Sequence, residues 1–314
     1  MIQIVTLGET MALLSAPDIG LLRHADSLRL GIAGAESNVA IGLHRLGIDV
    51  QWTGRVGNDE FGQLIAQTLR GQGLHTRAIV DDTAPTGIMI KARRTTQLTQ
   101  VAYYRNDSAG SRLEPADLDI EAIAEASVIH LSGITAALSK SARDTVFAAI
   151  DIAREHGTMV SFDVNYRSAL WSTDDASRVL TDLVSCCDVL FTTEDEAALL
   201  TDTRGTESLK LALTRMGPTH VLVKRGSSGA TALIHGQSLQ IPPVPVTAID
   251  PVGAGDAFTA GYLADLCSGA TPAECVRTAA RTGAFAVTVY GDWEGAPTRR
   301  ELAILEADAD TVMR

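Results

Sequence analysis

The sequence predicts an α/β protein in which a mainly parallel sheet is covered by helices on both faces. From about residue 120 onward, short apolar runs alternate with helical patterns, as in βα units that feed a parallel sheet. The runs are apolar at nearly every position, which is typical of strands buried on both sides. These predicted strands are residues 128–131, 159–162, 189–191 and 221–223.

Helices are predicted between and before these strands from the spacing of apolar residues. Apolar residues over 146–153 recur at i, i+3, i+4 and i+7, which indicates one face of an amphipathic helix that ends at Gly157. Residues 35–46 show the same stripe, with Gly47 as the stop. Residues 2–7 are predicted to form the first core strand.

Two segments of the N-terminal third do not follow this alternation. Residues 11–34 are short, mixed and rich in turns, and residues 86–105 are extended in pattern. We expect the two segments to pair into one small sheet that forms a lid. Because no linker or repeat divides the chain, residues 1–314 are predicted to form a single domain that carries this lid.

Composition and charge restrict the class of partner. The chain has 314 residues, of which 46% are hydrophobic and 20% charged, the balance of a globular protein with a sizeable core. Acidic residues outnumber basic ones, 38 against 26, so we expect neither nucleic acid nor a membrane as partner. The start of the chain lacks the pattern of a signal peptide, which predicts a cytoplasmic location.

The segment 250–262 carries the strongest chemical signal. Gly253 and Gly255 stand just before a helical run, where exposed backbone N–H groups and the positive helix end favour a phosphate. Asp256 would repel that phosphate, yet a carboxylate there can take the proton from a hydroxyl that attacks phosphorus. The structural alternative is a glycine-rich turn in which Asp256 caps the helix.

This segment and the earlier segment 33–40, AGAESNVA, resemble the two signature motifs of the ribokinase-like sugar kinases, the PfkB family. The resemblance covers nearly the whole chain. It implies a three-layer α/β/α sandwich with a mainly parallel central sheet and a small β-lid. The sequence contains no P-loop motif, so the alternative P-loop route to phosphoryl transfer is not available.

The resemblance also implies roles for individual residues. Gly253, Ala254 and Gly255 would form an anion hole for the γ-phosphoryl group of ATP, with Asp256 as the general base. The nucleotide would lie across the C-terminal half of the chain. Its contacts would be Asn165, Lys224, Gly226, Gly229, Gly253, Gly255 and Gly283. A hairpin turn at 224–229 and close helix packing at Gly283 are the structural alternatives.

One motif departs from the family pattern. The family usually carries N-x-x-E, and this chain has Thr193 at the Asn position while Glu196 keeps its place. Glu196 would then act on Mg²⁺ indirectly, through metal-bound water. The implied cofactors are ATP and Mg²⁺, and the resemblance leaves a monovalent cation open as a third.

The substrate residues point to a particular kind of sugar. Gly34 and Asn38 would contact sugar hydroxyls, as the N-terminal motif of the family does. Three further patches resemble the subgroup that phosphorylates 2-keto-3-deoxygluconate. They contain Tyr103, Arg105, Arg167 and, as a weaker contact, Asp292.

A sugar acid presents a carboxylate whose two oxygens match a guanidinium fork, whereas a neutral sugar has no need of one. Arg105 and Arg167 are the candidates, and a surface ion pair is the alternative for each. We expect ATP-dependent phosphorylation of the 6-hydroxyl of 2-keto-3-deoxygluconate. Another sugar kinase of the family, acting on fructose or ribose, and a non-catalytic sugar or nucleotide sensor remain the alternatives.

Open strands at the lid edge predict a homo-oligomer formed through the lid.

Overall fold

Thirteen strands form two sheets in the computed structural model, which describes residues 2–95, 98–201 and 203–306. Apolar, β-branched runs form most of the core strands, as the sequence predicts. The strands are β1 (Ile4–Leu7), β2 (Met11–Ile19), β3 (Arg29–Ala33), β4 (Val50–Gly57), β5 (His75–Asp81), β6 (Ile88–Arg93), β7 (Thr99–Tyr104), β8 (Val128–Ser132), β9 (Met159–Asp163), β10 (Val189–Thr193), β11 (His220–Lys224), β12 (Ala230–Ile234) and β13 (Gln237–Ile241).

The helices between the strands follow the predicted spacing. The helix predicted around residues 146–153 ends at Gly157, whose φ of 77° is the left-handed conformation that glycine adopts without strain. The helices are α1 (Ala35–Arg45), α2 (Glu60–Gly71), α3 (Ile120–Glu125), α4 (Gly133–Leu138), α5 (Lys140–His156), α6 (Thr173–Val184), α7 (Glu194–Leu200), α8 (Thr206–Thr214), α9 (Ala254–Cys267), α10 (Pro272–Ala286) and α11 (Arg299–Leu302).

The central sheet has nine strands in the order β13-β12-β11-β10-β9-β8-β1-β4-β5. The strands from β11 along this order to β5 pair in parallel with their neighbours. Strands β12 and β13 add an antiparallel edge. Successive residues of a strand belong to different hydrophobic clusters: Val189 and Phe191 to one, Leu190 to the other. Each face of the sheet therefore packs against its own layer of helices, which confirms the predicted three-layer α/β/α fold.

The second sheet has four strands in the order β3-β2-β6-β7. It is formed by the two segments, 11–34 and 86–105, that were predicted to be extended. Met11, Leu13, Ala33 and Met89 make a small buried cluster of its own. The function of this sheet as a lid stays a prediction.

In the described ranges, no helix has the length and apolar character needed to cross a membrane.

Candidate active site

Asp256 and Asn38 come together where α1 and α9 begin. Asn38 lies in the first turn of α1, and its Nδ2 donates a hydrogen bond of 2.8 Å to Asp256 Oδ2. Helix α9 is capped by Gly253, with no side chain bonded to its first amides. The helix cap is therefore Gly253 and not Asp256, and the catalytic role of Asp256 stays a prediction. The Asn38 Oδ1 atom is buried and, within the described residues, has no hydrogen-bond partner.

The surroundings of Asp256 make its carboxyl group easier to protonate than an ordinary one. Burial, together with the negative charge of Asp163, raises the pKa of Asp256 to about 7, against the opposing effects of Asn38, Lys224 and Arg167. A carboxyl group with a pKa near neutrality is suited to accept and release a proton at physiological pH. Geometry and pKa together make Asp256 a good candidate for a general base.

The glycine loop, residues 253–255, requires glycine at its first position. Gly253 has a φ of 77°, and a Cβ atom there would lie 1.8 Å from the carbonyl oxygen of Asp292. A Cβ on Gly255 would instead lie 3.5 Å from Lys224 Nζ. The start of α9 thus has its positive helix end close to a lysine ammonium, which favours an anion.

Lys224 is held by Asp163, a carboxylate outside the predicted site residues. Its Nζ donates a hydrogen bond of 2.6 Å to Asp163 Oδ2. Burial acts to lower the pKa of Lys224, but the charges of Asp163, Glu196 and Asp256 outweigh it, so the pKa lies above its usual value. Lys224 therefore stays protonated and can interact with a phosphate.

Arg167 follows β9 and remains open. Its side chain is exposed, its Nη1 donates to the Tyr166 carbonyl oxygen at 3.2 Å, and it forms no ion pair with any residue that the structure describes. Its charge acts to lower the pKa of Asp256, so the guanidinium lies within electrostatic range of that carboxylate. Asn165, two residues earlier, is buried with a φ of 40°. Its contact with the nucleotide stays a prediction.

Arg105 differs from Arg167 because its charge is already paired. Its Nε donates a hydrogen bond of 2.7 Å to Glu9 Oε2, and both side chains are buried. The Arg105 guanidinium also lies 5.7 Å from the ring centre of Tyr103, a cation–π contact. The structure therefore gives Arg105 a buried ion pair rather than the surface pair weighed above. Its role in substrate binding stays a prediction, as does that of the half-exposed Tyr103.

The carboxylate of Asp292 is paired with a lysine of the second sheet. Its Oδ1 accepts a hydrogen bond of 3.0 Å from Lys91, which also donates one of 2.8 Å to Asp250 Oδ2. All three side chains are buried, and because buried charges are costly without a partner, they pair with one another. The carboxylate of Asp292 thus belongs to an ion cluster, and its contact with the sugar stays a prediction.

Thr193 and Glu196 form a capping box at the start of α7. The Thr193 Oγ1 accepts from the Glu196 amide, and Glu196 Oε2 accepts from the Thr193 amide at 2.8 Å. Glu196 Oε1 also accepts from the Tyr166 amide at 3.0 Å. Thr at the usual Asn position is therefore explained by helix capping. The indirect action of Glu196 on a metal stays a prediction.

The described residues contain no cluster of three or more His, Cys, Asp or Glu side chains that could hold a metal ion by themselves. Mg²⁺ bound with ATP takes most of its ligands from phosphates and water. Asp163, whose buried Oδ1 has no hydrogen-bond partner in the described part of the chain, and Glu196 are the carboxylate candidates around Lys224.

The remaining predicted glycines have structural explanations beside their predicted roles. Gly226 and Gly229 lie in the turn that joins β11 to antiparallel β12, and both have positive φ values. Gly283 lies where α10 meets α9, and a Cβ there would lie 3.1 Å from the Ala254 carbonyl oxygen. At Gly34, a Cβ would lie 2.6 Å from the Glu9 carbonyl oxygen, so no side chain fits. Their contacts with ligands stay predictions.

The fold and this site are those of an enzyme that transfers phosphate from a nucleotide to a sugar. The model of the pfkB family carbohydrate kinases matches residues 1–299. The chain belongs to this family, and it is an ATP-dependent sugar kinase.

Individual proteins of known name resemble the chain over nearly its whole length. The chain is 35% identical to a 2-dehydro-3-deoxygluconokinase of Bacillus subtilis, over 95% of this chain and 94% of the relative. It is 34% identical to a 2-dehydro-3-deoxygalactonokinase of Haloferax volcanii, over 92% of each chain. A crystal structure of a fructokinase double mutant from Vibrio cholerae, bound to fructose, ADP and potassium, has a TM-score of 0.84 and 26% identity, covering 97% of this chain and 98% of that one.

Proposed function

We propose that this kinase transfers the γ-phosphoryl group of ATP to the 6-hydroxyl of 2-keto-3-deoxygluconate, also called 2-dehydro-3-deoxygluconate. The observation that carries the proposal is the exposed guanidinium of Arg167, which has no ion-pair partner among the described residues and whose charge acts on Asp256. A base for the hydroxyl and a partner for the carboxylate then serve one small substrate. The relatives named for 2-dehydro-3-deoxy sugar acids support the same substrate class.

In the proposed reaction, the oxygen of the sugar 6-hydroxyl attacks the γ-phosphorus while Asp256 accepts the hydroxyl proton. ADP leaves with the bridging oxygen. Asn38 holds one oxygen of the Asp256 carboxylate, which fixes the direction of the other. Backbone amides of the glycine loop and the Lys224 ammonium offset negative charge on the transferred group. Mg²⁺ enters as MgATP and is part of that substrate.

Arg167 would bind the carboxylate of the sugar acid. A guanidinium donates two parallel hydrogen bonds to a carboxylate, which adds orientation as well as affinity. Arg105 has less to offer, because Glu9 already accepts from it and neutralises its charge. The proposal therefore assigns the main carboxylate contact to Arg167, with Tyr103, Gly34 and Asn38 around the sugar.

The second candidate is a kinase of a neutral sugar such as fructose. The pairing of Arg105 with Glu9 favours it, because only one of the two predicted arginines remains open. The test is ADP release with MgATP over 2-keto-3-deoxygluconate, its galactonate epimer, gluconate, fructose, ribose and adenosine. Preference for the keto-deoxy acids supports the proposal, and preference for fructose or ribose supports the second candidate. Silence over the whole panel contradicts both and favours a sugar acid outside the panel or a sensor.

We also propose that the kinase forms a homo-oligomer through the second sheet, in the cytoplasm where its substrate ATP is available. The outer face of that sheet carries a cross-strand row of apolar residues, Leu30, Leu14, Ile90 and Ala102. Leu30 is 55% exposed, a large apolar side chain that a second copy could cover. Light scattering of wild type and Leu30→Glu tests this proposal: a monomeric wild type contradicts it.

A further inference from the structure

Lys91 comes from the second sheet and forms a buried charge pair next to the glycine loop. It lies in β6, and its Nζ lies 2.8 Å from Asp250 Oδ2 and 3.0 Å from Asp292 Oδ1. The side chains of Lys91, Asp250 and Asp292 are only 6%, 3% and 5% exposed. One ammonium therefore holds two carboxylates from distant parts of the chain.

These two carboxylates belong to the segments that enclose the glycine loop. Asp250 precedes Gly253 by three positions, and its Oδ1 accepts from the Val252 amide at 3.3 Å. Asp292 covers the loop from the other side, since its carbonyl oxygen leaves no space for a Cβ on Gly253. The Asp250 Oδ2 also accepts from the Gly291 amide at 3.4 Å. A change in the cluster must therefore move the backbone on which Gly253 depends.

Charge alone requires a cation at this position. Two buried carboxylates repel each other, and their burial is costly without a cation between them. Burial acts to lower the pKa of Lys91, but Asp292 and Asp250 outweigh it and hold the pKa above its usual value. The lysine is thus charged, and it supplies the cation from within the chain.

We propose that Lys91 is a positioning residue that keeps the glycine loop in its catalytic geometry and stands in for a free monovalent cation between Asp250 and Asp292. The family resemblance left such a cation open, and the Vibrio cholerae fructokinase structure contains potassium. Here the space between the two carboxylates is taken by the Lys91 ammonium. The inference deepens the proposed function, because it assigns the glycine loop its role in phosphoryl transfer.

The first measurement is turnover and melting temperature of the wild-type enzyme with potassium, ammonium or tetramethylammonium chloride at equal ionic strength. We expect turnover to differ by less than about twofold among the salts, as for ordinary screening of surface charges. A wild type that needs potassium or ammonium for activity overturns the proposal, whatever the variants do.

The second measurement uses Lys91→Ala. We expect kcat to fall by about 10- to 100-fold with a smaller change in KM, because the loop is misplaced while the sugar contacts remain. Potassium and ammonium, which fit the space that the lysine head leaves, should restore much of the loss and raise the melting temperature. Tetramethylammonium is too large and should do neither. A variant with unchanged turnover, or one that no small cation rescues, contradicts the proposal.

Two further variants keep the test decisive. Lys91→Arg retains the charge and should retain folding and most of the turnover even where Lys91→Ala is unstable. Lys210→Ala is the matched control: Lys210 is another fully buried lysine, bonded to Thr231 and Ser238 away from the site. Its loss should lower stability without creating a response to ammonium. Equal salt responses of the two alanine variants contradict the proposal.

The two proposals fail in different ways. Turnover is measured with whichever sugar of the panel the enzyme accepts, so a different substrate leaves the Lys91 experiment intact. Where no sugar is turned over, the proposed function fails, and the salt dependence of the melting temperature still decides whether Lys91 replaces a bound cation.

Discussion

The side-chain nitrogen Nδ2 of Asn38 lies 2.8 Å from Asp256 Oδ2, although the two residues are 218 positions apart in the chain. Their hydrogen bond joins the first turns of two helices. The bond holds one carboxylate oxygen. The other oxygen, Oδ1, has no hydrogen bond from any residue that the structure describes, so it can face a substrate hydroxyl. The pair thus orients the proposed base before the sugar binds, as catalytic positioning requires.

Replacing Asp256 by Asn tests the proposed base. The amide keeps the size and can still pair with Asn38, but it cannot accept the hydroxyl proton. We expect kcat to fall by about 10²–10⁴-fold with little change in melting temperature. The matched control is Asp174→Asn, an exposed carboxylate in the first turn of α6, which should leave kcat unchanged. Wild-type turnover in Asp256→Asn contradicts the assignment.

The raised pKa of Asp256 predicts the pH dependence of the reaction. The base works only when deprotonated, so kcat/KM should be high above about pH 7 and fall as the pH drops through the pKa of this group. Asn38 acts to lower that pKa. We therefore expect Asn38→Ala to move the acid limb to higher pH.

The pH profiles of both forms give the measurement. Asn58→Ala is the control, because Asn58 donates a similar amide hydrogen bond to the exposed Asp82, away from the site. Its acid limb should match that of wild type. An acid limb that stays in place or moves to lower pH in Asn38→Ala is incompatible with the proposed pair.

Arg167→Lys tests the carboxylate contact. Lysine keeps the charge but loses the two-pronged geometry, so one charge-assisted hydrogen bond of about 1.5–3 kcal/mol is lost. We expect KM for the sugar acid to rise by about 10- to 100-fold while KM for ATP changes little. Arg178→Lys, at an exposed arginine of α6, is the control. Equal effects of Arg167→Lys on both KM values argue against a carboxylate role.

The sequence was sufficient for the layers of the fold because these follow from periodic burial. Runs such as residues 189–191 alternate between the two cores, and Gly157 ends its helix in the left-handed conformation that glycine adopts more easily than other residues do. The glycine loop was equally visible, because two glycines before a helix have few other uses.

The polar pairs of the site could not be predicted in the same way. Lys91 reaches Asp250 across 159 positions, and no periodicity links a charged residue in a strand to a loop so far away. Asp163 and Glu9 were missed for the same reason, since each is defined by a partner rather than a pattern. One signal was available: Lys91 follows three apolar residues in its strand, and a lysine needs a counter-charge once it is buried.

The glycine loop offers a final test, because two of its positions differ in what they tolerate. Gly253→Ala must accommodate a φ of 77° and a Cβ that would lie 1.8 Å from the Asp292 carbonyl oxygen. The left-handed conformation alone costs an alanine about 1–2 kcal/mol, and the collision adds to it. We expect a loss of unfolding free energy beyond that range, and a fall in kcat as the loop moves.

Gly255→Ala is the matched variant within the same loop. Its Cβ would meet only Lys224 Nζ, at an ordinary contact distance of 3.5 Å, and its φ needs no glycine. Alanine in a helix is favoured over glycine by roughly 0.5–1 kcal/mol, so the variant should unfold at the same or higher urea concentration than wild type. Urea unfolding and kcat of both variants give the comparison. A larger loss of stability in Gly255→Ala than in Gly253→Ala contradicts this account. The carbonyl oxygen of Asp292 leaves no space for a Cβ at Gly253, whereas a Cβ at Gly255 makes only an ordinary contact.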